Sequence, residues 1–312
     1  MPVDQTLSNY SIMAFQTAFV VYSVALIVSL FFYGRMQQVI DARREQATPA
    51  DASAERHERR AHQLAGMTQS LVWLGIIFHL LAVALRGLSA GRFPLGNLYE
   101  YMLMLTLFVF IGAATALTTR KSWRTLWPWM LTPMLALMFY GATVFYTASA
   151  PVVPALQSNW LPIHVTTVVL GASIGMLSGV LSLLYLLRVW QQPGTERGVI
   201  GAIIKPLPGP KNLDALAYKS AIITVPVFGL GILLGAIWAE SAWGRFWGWD
   251  PKETISLVTW ILYCAYLHAR ATAGWKAWGT AIINIVALAT MIFNLFFINM
   301  VVSGLHSYAG LN

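Results

Sequence analysis

Long apolar runs recur along the whole sequence, and they restrict the possible folds more than any other pattern in it. A helix that crosses a membrane needs about 20 consecutive apolar residues, and only helices and closed barrels can pair all their backbone groups inside a bilayer. Eight runs approach or exceed this length, at approximately residues 12–34, 69–88, 98–118, 126–147, 163–189, 219–238, 254–269 and 278–303. We therefore predict an all-α, polytopic transmembrane helix bundle with about eight spans.

Composition supports a membrane protein. Hydrophobic residues make up 57% of the 312 residues and charged residues only 10%, whereas soluble domains carry about 25% charged residues. No basic segment precedes the first run and no small-residue cleavage site follows it, so we predict a retained helix and not a signal peptide. We divide the chain into 1–66, with the first helix and a charged loop, and 67–312, a single membrane domain.

Basic residues lie mainly on alternate connections between the runs. Sixteen of the 20 Lys and Arg residues fall within 35–66, 120–124, 188–219 and 270–276, and the other connections contain only Arg86, Arg92, Arg245 and Lys252. The positive-inside rule predicts that the first group is cytoplasmic and that both termini lie outside. Because the net charge of +8 is dispersed between apolar runs and forms no basic domain, we exclude nucleic acid as a partner.

The predicted outer connection between the sixth and seventh runs is rich in tryptophan. It contains Trp238, Trp243, Trp247 and Trp249 within twelve residues. An aromatic belt at the membrane interface explains one or two of these residues. Four of them with two glycines between favour a surface that binds a large, flat, apolar ligand.

Two segments on the same side are typical of helix starts. Asp250, Pro251 and Glu253 match an N-cap, a first helical proline and the third residue of a capping box. Asn97 and Glu100 repeat the pattern before the third run. We therefore expect this face of the bundle to be well structured.

Histidine is the residue type that could hold iron in this chain. The single cysteine, Cys264, lies in an apolar run and allows no disulfide and no thiolate metal site. His164 begins the fifth run and His306 follows the eighth, both on the side of the tryptophan loop. Either one alone fits an interfacial, hydrogen-bonded histidine, but the pair beside the tryptophans predicts bis-histidine ligation of a haem.

Two further histidines lie within apolar runs. His268 is fourteen residues beyond Thr254, roughly 21 Å from the outer surface at the helical rise. It is a candidate ligand for a second haem, or an interfacial histidine beside Arg270. His79 lies near the middle of the second run, and both a core hydrogen bond and ligation remain open for it.

Several segments resemble the CcsA family, the integral membrane subunit of the System II cytochrome c synthase. The matching segments are FPLGNLYE (93–100), WLPIH (160–164), LDALAY (213–218), GAIW (235–238), WGRFWGWDPKET (243–254), YLHAR (266–270) and GLH (304–306). They follow the family order from about residue 70 onwards, and the tryptophan-rich element followed by DPKE is highly specific. The first 65 residues carry no motif of the family.

The resemblance implies a function in cytochrome c biogenesis. Haem b, as a substrate or transient ligand, would be held at the outer face of a bacterial plasma membrane and attached to the CxxCH thiols of apocytochromes c. A separate ResB/CcsB-type membrane subunit would complete the synthase, and the chain would act as a haem lyase only with it. The implied haem-binding residues are His164, His306, His268, Trp243, Trp247, Trp249 and Asp250, the three histidines through the haem iron.

Two other classes of function compete with this interpretation. A b-type electron-transfer subunit would also bind haem, but usually through paired histidines on facing transmembrane helices. A solute transporter would have broken helices and polar groups near the membrane midplane, and the apolar runs contain few polar residues apart from His79. The surface histidines and the tryptophan loop favour haem presentation.

Overall fold

The computed structural model describes residues 3–45, 52–152 and 156–306, and within these ranges the chain forms helices and connecting loops without strands. The α-helices are α1 (Gln5–Glu45), α2 (Ala52–Ala90), α3 (Leu98–Thr119), α4 (Trp127–Thr143), α5 (Trp160–Trp190), α6 (Gly198–Ile204), α7 (Pro210–Trp243), α8 (Pro251–Ala271) and α9 (Ala277–Phe293). A short 3-10 helix, Lys121–Leu126, leads into α4, and a π-helical turn, Asn294–Ile298, extends α9. The predicted all-α bundle is confirmed.

Six helices are long and apolar enough to cross a membrane, namely α1, α2, α3, α5, α7 and α9 with its π-helical turn. The other two predicted spans are also helical but do not reach that standard. Helix α4 has only 17 residues, fewer than the roughly 20 that a span requires. Helix α8 has 21 residues but carries charged groups at both ends. By length and hydropathy, six of the predicted spans are thus candidate membrane spans, and the count of about eight stays a prediction.

The helix ends follow from local sequence. The Asn97 side chain accepts a hydrogen bond from the backbone N–H of Glu100 at 2.9 Å and caps α3. At α8, Asp250 and Glu253 form the predicted capping box. Helix α7 ends at Gly244, whose φ of 69° is the left-handed conformation that glycine adopts without a steric penalty. These caps satisfy backbone groups that helix ends leave unpaired.

At one end of the bundle a buried ion pair joins α2 to α3. Nε of Arg86 donates to the Glu100 carboxylate at 2.8 Å, and the two side chains are 1% and 0% exposed. Arg86 also donates to the carbonyl of Thr147, just beyond α4. The ends of α2 and α4 and the start of α3 therefore lie together, as the alternating charge pattern predicts.

At the opposite end, ion pairs join the segments that the sequence assigns to the cytoplasm. Glu196, in the loop after α5, accepts from Arg44 of α1 and from Arg188 of α5, each at 2.9 Å. Arg270 of α8 pairs with Asp214 of α7. The charged segment 41–62 continues α1 and begins α2, and its residues 46–51 lie outside the described ranges.

Glycines allow α5 and α7 to pack closely. A Cβ atom added at Gly171 would lie 2.7 Å from the backbone of Phe228, and one at Gly231 would lie 2.7 Å from Val168. Small residues at a helix interface allow this backbone approach in membrane bundles. The contact brings the C-terminal half of α7 against the first turns of α5.

The bundle interior holds more polar contacts than the apolar runs indicate. Asn284 of α9 is fully buried and donates to the hydroxyls of Ser178 and Ser182 at 2.8 and 2.7 Å. His79 is also fully buried, with its ring edge-on to Phe15 and Tyr22. His79 therefore belongs to the core between α1, α2 and α3.

Candidate functional site

Four segments meet at the end of the bundle that holds Glu100: the start of α5, the C-terminal half of α7, the start of α8 and the residues after the π-helical turn. They contribute His164, Trp238, Lys252 and His306, respectively, to the lining of one cavity. The cavity is open on one side, and its volume is about 1030 Å³ when the open space is included. The two histidines, separated by 142 positions, are thus brought to one site, as the sequence predicts.

The His164 ring is fixed by α7. Its Nδ1 lies 2.8 Å from the carbonyl oxygen of Gly231. Because a carbonyl only accepts hydrogen bonds, Nδ1 carries the proton and the neutral ring has its lone pair on Nε2. Gly235 leaves the space that the ring occupies, since a Cβ there would lie 2.6 Å from His164 Cε1. Trp238 stacks on the ring, with centroids 5.8 Å apart and planes inclined by 11°.

The His306 ring is fixed by the cap of α8. Its Nδ1 lies 2.8 Å from Oδ1 of Asp250, and a carboxylate can only accept, so its lone pair is also on Nε2. Asp250 accepts two further hydrogen bonds, from the backbone N–H groups of Lys252 at 3.1 Å and Leu305 at 2.8 Å. Gly304 makes this approach possible, because a Cβ on it would lie 2.6 Å from the carboxylate.

The protonation states follow from this environment. Burial alone would raise the pKa of Asp250, but the hydrogen bond and charge of His306 and the two backbone donors outweigh burial and lower the pKa to about 2. Burial lowers the pKa of His306, and the Asp250 carboxylate opposes that shift. Near neutral pH, Asp250 is an anion and His306 is a neutral imidazole, which is the form that binds metals.

Two tryptophans form a wall beside both imidazoles. Trp238 is 1% exposed, and its ring lies 5.9 Å from the His306 ring. Trp243 packs edge-on against Trp238 at 4.8 Å and against His306 at 5.0 Å. Each histidine thus has its Nδ1 held by a backbone or carboxylate oxygen and its ring held by tryptophan. Metal-binding histidines typically show this arrangement.

Comparison with known proteins identifies the family. Residues 95–306 match the family described as cytochrome C assembly protein. The cytochrome c biogenesis protein CcsA of Chlamydomonas reinhardtii is 36% identical over 241 residues, which cover 74% of this chain and 65% of the algal protein. CcsA of Parasynechococcus marenigrum is 31% identical over 267 residues, covering 78% of this chain and 86% of the relative. This chain belongs to the CcsA family. Its role is in cytochrome c biogenesis.

The fold of this CcsA-family chain also occurs in a solved structure. The chain resembles the cytochrome c haem lyase CcmF with a TM-score of 0.56 and 14% sequence identity, over 89% of this chain and 46% of CcmF. At that identity the likeness concerns the fold. The algal CcsA is matched over slightly less than two thirds of its length.

The four tryptophans of the predicted surface do not all lie beside the histidines. Trp247 is half-buried and lines a second, smaller cavity that also includes both histidines. Trp249 is 68% exposed and has a φ of 58°, a left-handed conformation that is uncommon outside glycine. It contacts Trp247 edge-on at 5.8 Å. Trp238, Trp243 and Trp247 therefore adjoin the histidines, whereas Trp249 lines neither cavity.

His268 lies apart from this cavity. It is exposed on the surface of α8 and lines neither of the two cavities that contain His164 and His306. His268 is therefore separate from the pair of His164 and His306, and its role as a haem ligand stays a prediction.

Sequence reasoning missed three contributors to the site, namely Gly231, Gly235 and Lys252. The GAIW segment and the DPKE segment contain two of them, but pattern alone gave Lys252 no role beyond the helix start. The acceptor carbonyl of Gly231 carries no side-chain signal at all. Its position is visible only once α5 and α7 are packed together.

Proposed function

We propose that this protein binds haem b as a substrate between His164 and His306, at the outer face of a bacterial plasma membrane. There it presents the haem for attachment to the CxxCH thiols of apocytochromes c, together with a ResB/CcsB-type membrane subunit. One observation carries the proposal: both imidazoles have Nδ1 engaged, at 2.8 Å in each case, and line one cavity beside Trp238. Both neutral rings thus have the tautomer that binds iron through Nε2.

The residues present suit the chemistry of attachment. A cysteine thiol adds across a haem vinyl group, forming a C–S bond and transferring its hydrogen to the other vinyl carbon, so no external oxidant is required. The protein's contribution is to hold the haem in one orientation, and positioning of reactants can supply several kcal/mol of rate enhancement. The only cysteine, Cys264, lies within α8 and takes no part in this proposal.

The decisive experiment replaces each histidine of the pair with alanine. We expect His164→Ala and His306→Ala to abolish maturation of a reporter c-type cytochrome and to alter the haem absorption spectrum of the purified protein. Free imidazole should partly restore both, because it fills the gap and binds iron through the same type of nitrogen. The matched control is His62→Ala, whose side chain is 73% exposed at the opposite end.

The outcomes distinguish ligation from other roles. Loss of maturation with an unchanged bis-histidine spectrum would contradict ligation by these histidines. Full maturation in both variants would overturn the proposed function. Stable, permanent haem binding without any attachment activity would favour the b-type electron-transfer alternative.

The proposed orientation has its own test. In a Cys264→Ala background, a cysteine introduced as Arg245→Cys should react with membrane-impermeant maleimide from outside the cell, because Arg245 lies in the tryptophan loop on the side with few basic residues. A cysteine introduced as Lys276→Cys, between α8 and α9, should react only after permeabilisation. The reverse labelling pattern would contradict the assigned outer face.

A further inference from the structure

Among the described residues that line the first cavity, Lys252 is the one lysine or arginine, and no aspartate or glutamate lines it. Lys252 also lines the second cavity together with both histidines. Its ammonium group donates to the neutral amide oxygen of Asn299. The neighbouring carboxylate of Asp250 accepts instead from His306, Leu305 and the backbone of Lys252. The lysine charge therefore faces the cavity with a neutral hydrogen-bond partner.

Asn299 is itself fixed by the π-helical turn. Its Nδ2 donates to the carbonyls of Asn294 and Leu295 at 3.1 and 2.7 Å, which directs Oδ1 towards Lys252. A π-helical turn brings residues five apart onto one face, so Asn294 and Asn299 both line the cavity. Such turns occur frequently at functional sites.

The polar wall continues from Lys252 into the bundle. Ser256 accepts a hydrogen bond from Asn294 at 2.9 Å, and Thr259 pairs with Thr290 at 3.0 Å. The Oδ1 atom of Asn294 is buried and has no hydrogen-bond partner. A buried acceptor of this kind costs free energy unless a ligand or water satisfies it. The wall formed by α8 and the π-helical turn thus offers the Lys252 ammonium as a charged donor to a carboxylate, whereas Oδ1 of Asn294 can only accept and awaits a donor such as water.

The opposite wall of the cavity is apolar. It is formed by side chains of α3, α5 and α7, namely Leu98, Tyr101, Leu161, Val165, Val168 and Phe228. One cationic polar wall facing an apolar wall suits a large apolar ligand that carries carboxylates along one edge. Haem b has this character, because its two propionates lie on one edge of the porphyrin and its vinyl groups on the opposite edge.

We propose that Lys252, held by Asn299, binds a haem propionate and fixes which edge of the substrate faces α8 and the π-helical turn. This inference rests on the proposed function and adds a specificity-determining residue to it. With the propionates held at Lys252, the vinyl edge would face the apolar wall formed by α3, α5 and α7. Lys252 thereby selects a haem with free carboxylates.

The test compares two ligands on the purified full-length protein. Ferric protohaem and protohaem dimethyl ester, which lacks the propionate charges, are titrated into the wild type and into Lys252→Gln. We expect the wild type to favour protohaem by about tenfold or more, as for a charge-assisted hydrogen bond. Lys252→Gln should lose this preference through weaker protohaem binding, while its affinity for the ester and its axial-ligand spectrum remain unchanged.

Two further variants control for charge and for folding. Lys252→Arg retains the charge and should retain the preference for protohaem. Lys276→Gln removes a lysine that lies before α9, exposed and away from both cavities, and should behave as the wild type. An unchanged preference in Lys252→Gln, or an equal loss of affinity for both ligands, would overturn the proposal.

The same titrations separate this proposal from the histidine pair. If His164→Ala and His306→Ala retain the wild-type spectrum while Lys252→Gln loses the preference for protohaem, propionate binding by Lys252 is supported and iron ligation by the two histidines is contradicted. If the histidine variants lose the bis-histidine spectrum while Lys252→Gln retains the preference for protohaem, ligation by the histidines is supported and propionate binding by Lys252 is contradicted.

Discussion

Asp250 holds His306 and starts α8 with the same carboxylate. Oδ1 accepts from His306 Nδ1 at 2.8 Å and from the backbone N–H of Lys252 at 3.1 Å, while Oδ2 accepts from Leu305 at 2.8 Å. The orientation of one imidazole is thereby coupled to the position of a helix N-terminus. A carboxylate that accepts from Nδ1 of a ligating histidine also makes Nε2 more basic.

Asp250→Asn separates these two roles. Asparagine caps helices as well as aspartate does, so α8 should form, while its NH2 group replaces the acceptor of Leu305 and should lower the thermal unfolding midpoint moderately. The neutral amide oxygen is a weaker acceptor, and we expect haem affinity to fall by about 10–100-fold, as for other partners of metal-binding histidines. Haem titration and the reduction potential of the bound haem measure the effect. Wild-type values for both would limit Asp250 to capping.

Gly235→Ala tests how closely the His164 ring packs against α7. The added Cβ would lie 2.6 Å from Cε1 of the imidazole, whose Nδ1 is already held by Gly231 on the same helix. We expect the variant to insert normally but to lose the bis-histidine absorption spectrum. Gly66→Ala on α2 is the matched control, because no atom lies within 4 Å of its added Cβ. A wild-type spectrum in Gly235→Ala would contradict the assigned position of the ring.

Trp238, in the last turns of α7, and Trp249, in the loop that follows, should behave differently. Trp238 is 1% exposed and stacks on His164, so Trp238→Ala should destabilise the protein by about 3–5 kcal/mol and weaken haem retention. Trp249 is 68% exposed, so Trp249→Ala should change stability by less than about 0.5 kcal/mol and leave haem binding unchanged. Equal loss of haem in both variants would indicate that Trp249 contacts the ligand as closely as Trp238 does.

The fold was largely predictable because hydropathy and capping are local signals. The run at 12–34 correctly located α1, but the helix extends from Gln5 to Glu45, since hydropathy marks only the part of a helix that needs an apolar environment. The capping box of Asp250 and Glu253 was also predicted and is confirmed. The run at 126–147 correctly located α4, but the helix ends at Thr143 and the apolar residues that follow lie in a loop.

The site was predictable only in part, because its details depend on tertiary packing. Membrane topology alone was enough to bring His164 and His306 to one side. The pattern could not show that Gly231 supplies an acceptor to His164, since backbone carbonyls are the same in every residue. It also could not separate Trp247, which is half-buried, from Trp249, which is exposed and has a left-handed backbone conformation.

The ion pair of Arg86 and Glu100 should dominate stability at the site end of the bundle. Both side chains are fully buried, and Glu100 also accepts from Arg92 at 2.7 Å. Glu100→Gln leaves the Arg86 charge buried without a counter-charge, which should cost about 3–5 kcal/mol. Denaturation in detergent micelles measures this cost. Glu58→Gln is the control, because its pair with Arg43 is 42% and 62% exposed and should contribute only about 0–1 kcal/mol.

Glu196 should make stability depend on pH at the opposite end. Burial alone would raise its pKa, but hydrogen bonds from Arg44, Arg188 and the backbone N–H of Gly194 lower the pKa from 4.5 to about 2. Because the pKa is lower in the folded state than in the unfolded state, the stabilising contribution is complete above pH 4.5 and is lost as the pH falls towards 2. The measurement is the difference in unfolding free energy between the wild type and Glu196→Gln. That difference should be constant near neutral pH and should shrink below pH 4.5, where the protonated glutamate resembles glutamine. If the difference in unfolding free energy stays constant down to the lowest accessible pH, the Glu196 charge does not stabilise the contact between α1 and the loop after α5.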